Sequence, residues 1–430
     1  METTTLPTPE RLREIYGNDP EIISYQTDRY SKLAQSFAKR FPDAGSPVFF
    51  SAAGRSEIGG NHTDHQRGQV LAASLNIDSL AAVSPVSDNT ITLYSEGYDT
   101  YTVDLDNLDP VPSETGTTAA LIRGVASGFA RKGFKTGGFT AYVISDVLGG
   151  SGLSSSASFE SLIGVILSGL YNGDGVSCVD IAKIGQYAEN VFLEKPCGLM
   201  DQMACSVGGF VHIDFAKTND LDPLFDDSYP AIEKIDFDPS DYGYCLVITD
   251  TKASHADLTD DYAAIPKEMK DVAHFFEKEV LSEVDENAFI KKIPEIRKSA
   301  GDRAIVRAIH YFEENKRVGL EARALQADDF DAFLAAFSES SRSSFEYLQN
   351  IYPSKDPNRQ AMSIALAVSD VFLSEGKKGV ARVHGGGFAG TIQTFVKTEF
   401  ADEYINTMDA LLGDGSAQKH KIRRYGCVHI

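Results

Sequence analysis

The stretch Leu148-Gly149-Gly150-Ser151-Gly152-Leu153-Ser154-Ser155-Ser156-Ala157-Ser158 constrains the fold of this chain most tightly. Three glycines fall within four residues, and three consecutive serines follow. Upstream, residues 139–144 (FTAYVI) have the aromatic and β-branched content of a strand. Downstream, Phe159, Leu162, Ile163, Ile166, Leu167 and Leu170 recur on one face of a helix. The chain therefore reads strand, glycine-rich loop, helix. Such a loop lets the backbone approach an anion, with the free N–H groups of the helix's first turn pointing at it. The serines suit either helix capping or a hydroxyl ligand for a metal ion. On this stretch alone two readings stand level: a capped turn and a phosphate cradle.

Composition narrows the classes. At 430 residues the chain has room for two domains and a sizeable core. Its net charge of −22 argues against nucleic acid or an anionic membrane as partner, since both require a basic footprint. A nucleotide is still accommodated, because backbone N–H groups and a divalent cation can hold phosphates locally. No apolar run is long enough to span a bilayer. The first ten residues, METTTLPTPE, have neither a basic nor an apolar leader region. The five cysteines form no CxxC pair and are odd in number, which favours reduced thiols. The expectation is a cytoplasmic protein, monomeric, acting on small molecules.

Along the chain, the periodicity predicts helix over 9–42 and a strand over 47–53 that runs into Gly54-Arg-Ser-Glu-Ile-Gly-Gly-Asn-His-Thr-Asp-His65. Strand pieces follow at 69–77, 80–86, 91–95 and 100–104, then a helix at 118–132. The helix over 179–192 buries Ile181, Ile184, Ala188 and Val191 and leaves Glu189 off that face. It ends before Pro196-Cys-Gly-Leu-Met-Asp-Gln202. Residues 217–241, rich in Asp and Pro, read as the passage between domains expected at 1–230 and 231–430. Beyond lie a strand at 244–249, charged helices over 262–280, 284–317, 319–350 and 357–375, a glycine cluster at 384–390 and a strand at 391–396. No P-loop, HExxH or GxSxG is present, and the GxG at 150–152 lacks the third glycine of a dinucleotide fingerprint. His62, Asp64 and His65 have a spacing that matches no standard metal site.

Three segments, GRSEIGGNHTDHQRG (54–68), GGSGLSSSAS (149–158) and HGGGFAG (384–390), resemble in order the three motifs of the GHMP small-molecule kinases. The first looks like the galactokinase signature, and AENVFLEKPCGLMDQ (188–202) resembles the helix-and-turn segment of that group. The resemblance spans nearly the whole chain and is weakest at 217–242 and 263–350. It implies an α+β fold with an N-terminal domain like the second domain of ribosomal protein S5 and a ferredoxin-like C-terminal domain. It implies an ATP- and Mg²⁺-dependent kinase acting on the anomeric C1 hydroxyl of a sugar. Gly149, Gly150, Ser151, Gly152, Leu153, Ser154, Ser155 and Ser156 match the ATP-phosphate loop. Ser156 and Glu189 match the Mg²⁺ ligands, and Asp201 and Arg55 the catalytic pair. Asn61, His62, Asp64, Gly198 and Tyr262 match sugar-contacting positions.

The departures bear on the sugar. The family usually has a glutamate near the sugar's C6 hydroxyl where this chain has Asn61, tyrosine where His65 stands, isoleucine where Gly59 stands and proline where Leu148 stands. An arginine that usually follows the Tyr262 segment is absent from 263–266. Loss of a fixed charge at Asn61 would relax repulsion against a C6 carboxylate, and the run 64–66 resembles galacturonokinases. The 188–202 segment is nearer to galactokinase, and asparagine can still bond a neutral hydroxyl. The reading is therefore a D-galactose 1-kinase forming galactose 1-phosphate, with galacturonate or another hexose or uronate as the alternative substrate. The non-enzyme alternative is an idle, galactokinase-like sugar sensor.

Overall fold

The computed structural model describes residues 5–147, 153–195, 197–216, 222–253 and 258–430. Twelve strands are found among them. They are β1 (Val48–Gly59), β2 (Gln69–Pro85), β3 (Thr90–Ser95), β4 (Thr100–Asp104), β5 (Phe139–Ser145), β6 (Phe210–Asp214), β7 (Ala231–Ile235), β8 (Tyr244–Asp250), β9 (Gly379–Val383), β10 (Thr391–Lys397), β11 (Ala417–His420) and β12 (Cys427–His429). Eight form one mixed sheet in the order β12-β1-β2-β5-β3-β4, with β6 and β7 branching from β2. Four form an antiparallel sheet in the order β11-β8-β10-β9. With twelve helices of the α type packed on these sheets, the architecture is the expected α+β.

The expected boundary between residues 230 and 231 does not coincide with a change of sheet. β7 pairs antiparallel with β6, Phe210 opposite Ile235, so it extends the first sheet. The C-terminal β12 also returns to that sheet, Ala52 of β1 facing Cys427. The passage reads as a linker from its Asp and Pro content, and the strand within it, β7, is short and mostly exposed.

Other expectations shift for local reasons. The helix expected over 9–42 is two, Pro9–Tyr16 and Pro20–Arg40, because Gly17 at φ +88° ends the first and Asp19 caps the second. The strand pieces at 69–77 and 80–86 are one long strand, β2, whose first part pairs with β6 and whose second pairs with β5. The segment 284–317 breaks at Gly301, with helices at Glu286–Ser299 and Asp302–Gln326.

The helix Ser155–Asn172 lies on the first sheet. Leu162, Ile163, Ile166 and Leu167 pack there with Phe50, Ala52, Ala81 and Val143. A second core joins the two sheets: Ile58, Leu71 and Ala73 from the first meet Leu246, Ile248 and Phe395 from the second, with Phe330, Phe333 and Phe337 between. This shared core holds the end of β1 against β9 and β10, so residues far apart in sequence converge on one cleft.

Candidate active site

β1 is longer than its sequence pattern suggested and carries Arg55 and Glu57 on one face. Arg55 makes a bidentate fork to Asp201, Nε to Oδ1 at 2.7 Å and one terminal nitrogen to Oδ2 at 2.8 Å. Asp201 sits in the first turn of the helix Met200–Val207. Ser154 adds a further hydrogen bond from its hydroxyl to Oδ2. Burial pushes the Asp201 carboxyl up, but the charge of Arg55 and the bonds from Arg55 and Ser154 outweigh it and hold the pKa below the usual value. About 35% of the Asp201 side chain is exposed. The hydroxyl of Ser154 is thus not a helix cap. The residue is left-handed at φ +59° and makes no capping bond.

The loop residues Gly149, Gly150, Ser151 and Gly152 lie outside the described residues, as does Leu148. Its described end is anchored, since the Arg55 N–H donates to the Leu153 carbonyl at 3.2 Å. Ser155 and Ser156 open the helix that follows. The Ser156 hydroxyl lies 3.3 Å from Glu189 Oε1. Glu189 is only 2% exposed, not off the buried face as its helical spacing indicated. The chain over Ala188–Phe192 is a π-turn, which inserts a residue and changes the direction in which Glu189 points. Lys195 donates to Glu189 Oε1 at 2.6 Å, and Gln202 to Oε2 at 2.8 Å. Gln202 also donates to Glu160 at 3.0 Å. Burial, then the neighbouring Glu189, raise the Glu160 pKa well above its ordinary value.

Arg55, Glu57, His62, Asp64, His65, Cys197, Gly198, Met200, Asp201, Gly385 and Gly386 line a cleft of about 230 Å³. That is smaller than the roughly 300–1,000 Å³ of drug-sized ligand pockets and suits one small polar molecule. His62 donates from Nε2 to the Gly386 carbonyl at 3.0 Å. Burial and the adjacent His65 hold its pKa down to about 4, so it is neutral. Asp64 and Gly198 face each other across the cleft wall; a Cβ on Gly198 would stand 3.0 Å from Asp64 Oδ2.

Two expected sugar-contacting residues, Asn61 and Tyr262, are not among those lining this cleft. Asn61 is fully buried. Its amide nitrogen donates to Glu57 Oε1 at 3.0 Å and to the Gly385 carbonyl at 2.6 Å, and its oxygen accepts from Asn350 at 2.7 Å. Tyr262 packs against the glycine cluster. Its hydroxyl donates to the Gly387 carbonyl at 2.7 Å and its ring meets Phe388 edge-on. A Cβ on Gly386 would be 2.5 Å from that ring, so only glycine lets the backbone lie this close to Tyr262.

Sequence reasoning passed over Glu57, Cys197 and Met200 in the cleft wall, and Lys195, Gln202 and Glu160 around Glu189. Glu57 was within reach: it stands two residues after Arg55 in a strand of period two. Burial pushes its carboxyl above the usual range, with Arg382 and Asn61 offsetting part of the effect. Among the described residues no cluster of three or more His, Cys, Asp or Glu side chains could hold a metal ion. The convergent hard oxygens of Ser156 and Glu189 nevertheless suit Mg²⁺, which takes few protein ligands and keeps its waters. The Lys195 ammonium on Glu189 marks the place as one that favours a cation.

Residues 35–85 match the model of the galactokinase galactose-binding signature, and residues 120–209 match the N-terminal domain of GHMP kinases. A galactokinase of Actinobacillus pleuropneumoniae is 30% identical over 401 residues, covering 90% of this chain and 94% of that one. A galactokinase of Bacillus subtilis is 27% identical over 400 residues, covering 91% and 95%. Among solved structures, Lactococcus lactis galactokinase complexed with galactose superposes with a TM-score of 0.75 at 22% identity, covering 93% of this chain and 99% of that one. The chain belongs to the galactokinase family of GHMP kinases.

Proposed function

We propose that this chain transfers the γ-phosphoryl group of ATP to the C1 hydroxyl of D-galactose. The observation that carries the reading is Asp201, kept ionised by the Arg55 fork and Ser154 at the wall of a small polar cleft. A carboxylate offers about four acceptor sites. Arg55 and Ser154 occupy three, which leaves one for the sugar's C1 hydroxyl. An aspartate with a depressed pKa is a weak base, and its task here is to orient that hydroxyl. A loose phosphoryl-transfer transition state asks for alignment and charge neutralisation more than early deprotonation. Arg55 limits repulsion between Asp201 and the incoming phosphates.

Ser156 and Glu189 would hold Mg²⁺, which would supply neutralisation of the phosphate charge. Lys195 would then exchange its contact with Glu189 for a phosphate. Asp64 accepts sugar hydroxyls across the cleft from Asp201, and neutral His62 fixes the glycine cluster through Gly386. The carboxylate of Glu57 in the wall counts against a uronate in this cleft.

The test is Asp201→Asn. It keeps the shape but loses the charge, and is expected to lower kcat for ADP release by about 10²–10⁴-fold while galactose binding by calorimetry persists. Loss of binding with kcat retained would contradict the role.

A further inference from the structure

Glu57 is a buried carboxylate that the proposed phosphoryl transfer does not use. Both of its partners meet one oxygen: Asn61 Nδ2 at 3.0 Å and an Arg382 nitrogen at 3.1 Å both reach Oε1. Among the described residues no hydrogen bond reaches Oε2. That oxygen is also absent from the sealed, unpartnered polar atoms, so it opens onto the cleft that Glu57 lines. A carboxylate oxygen in a largely dry wall calls for a donor. We propose that Glu57 is the specificity-determining acceptor of this site. Its Oε2 takes a hydrogen bond from a sugar hydroxyl remote from C1, and Asn61 and Arg382 hold it in place.

The strand sets the geometry. Arg55 and Glu57 share one face of β1 two residues apart, roughly 7 Å. Arg55 marks the reacting end through Asp201, so Glu57 faces the opposite side of the ring. Asn61 occupies the position expected to contact the sugar, yet it spends both polar groups inside the protein. The acceptor is therefore supplied four residues earlier in the chain. Its chemistry selects a neutral polyol. A carboxylate on the substrate would meet a like charge across a few ångströms of poorly screened space.

This inference rests on the galactose reading, and one experiment separates the two. ADP release is measured for the full chain and for Glu57→Gln with D-galactose, its 2-, 3-, 4- and 6-deoxy analogues and D-galacturonate. The expected result is turnover of galactose by the unmodified chain. In Glu57→Gln the KM for galactose rises about tenfold or more, exceeding any fall in kcat, as expected for a charge-assisted bond. One analogue, 3-, 4- or 6-deoxy, has the same KM in both proteins, which names the hydroxyl. The preference for galactose over galacturonate drops about tenfold or more. Glu57→Asp keeps the charge but draws it back one methylene, so it loses galactose affinity while still rejecting galacturonate. An unchanged KM for galactose in Glu57→Gln overturns the inference and leaves the functional reading standing. A uniform shift across all sugars accompanied by a lower Tm also overturns it, because that is the signature of a structural role. Absence of galactose turnover by the unmodified chain overturns the functional reading and this inference with it.

Discussion

Asp201 and Glu189 are both acidic residues near a turn, and the protein treats them differently. Asp201 faces the cleft with an arginine fork behind it, whereas Glu189 is almost fully enclosed and meets Ser156, Lys195 and Gln202. Gln202 links Glu189 to Glu160, and burial and the neighbouring Glu189 push the Glu160 carboxyl well above its ordinary value. Glu189→Gln removes the carboxylate while keeping the size. The Mg²⁺ concentration for half-maximal activity is expected to rise at least about tenfold, read from a Mg²⁺ titration at saturating galactose. An unaltered Mg²⁺ requirement would remove Glu189 from the metal site. Asp201 and Arg55 could be picked out from the resemblance because the Asp201 segment is intact and the first motif keeps its arginine despite the departures at Gly59, Asn61 and His65. The burial of Glu189 could not be read from spacing, because a π-turn breaks the 3.6-residue count that placed it outside.

At the scale of elements, the end of β1 and the turn after it are held by a buried charged cluster. Glu314 accepts from the Gly60 N–H at 3.2 Å, and Arg382 reaches Glu57. Glu321, fully buried, lies so close that a Cβ on Gly59 would stand 1.9 Å from its Oε2. This explains the departure at Gly59: the helix Asp302–Gln326 places a carboxyl where a side chain would otherwise project. Gly59→Ala is expected to cost about 1–3 kcal/mol in denaturant unfolding. The cost should shrink in combination with Glu321→Ala, which empties the contested space. Additive losses would show that the two residues do not compete. The strand, glycine loop and helix around residue 150 were legible from periodicity, because one face of each packs on a single core. The sugar side was less so. Asn61 and Glu57 are both buried, and that Glu57 rather than Asn61 lines the cleft goes with partners contributed by residues 350 and 382, hundreds of positions away, which no local pattern carries.

Across the whole molecule, two sheets share one aromatic-rich core, and that core brings β9 and the glycine cluster onto the first motif. The cleft therefore depends on the entire fold, including a C-terminal strand that returns to β1. The same packing encloses four histidines, His62, His310, His384 and His420, all shifted below the ordinary value primarily by burial. For His420 the pKa falls from 6.5 to about 4. Below pH 6.5 the unfolded chain takes up this proton and the native one does not, so stability falls as pH drops towards about 4. Each such group contributes at most about 1.4 kcal/mol per pH unit in that window. Glu160 and Glu321, with raised pKa values, act in the opposite sense, so the informative quantity is a difference. His420→Gln should flatten the dependence of unfolding free energy on pH between 6.5 and 4 relative to the unmodified chain. Parallel curves would contradict the buried neutral histidine. Galactose as acceptor and C1 as the site of transfer are the two features on which the proposed activity depends. Both are read at once by phosphorus NMR of the products formed from Mg-ATP and D-galactose. The prediction is stoichiometric ADP and galactose 1-phosphate; the contradicting result is ATP left intact with galactose while another sugar of the panel is phosphorylated, or phosphate found on a hydroxyl other than C1.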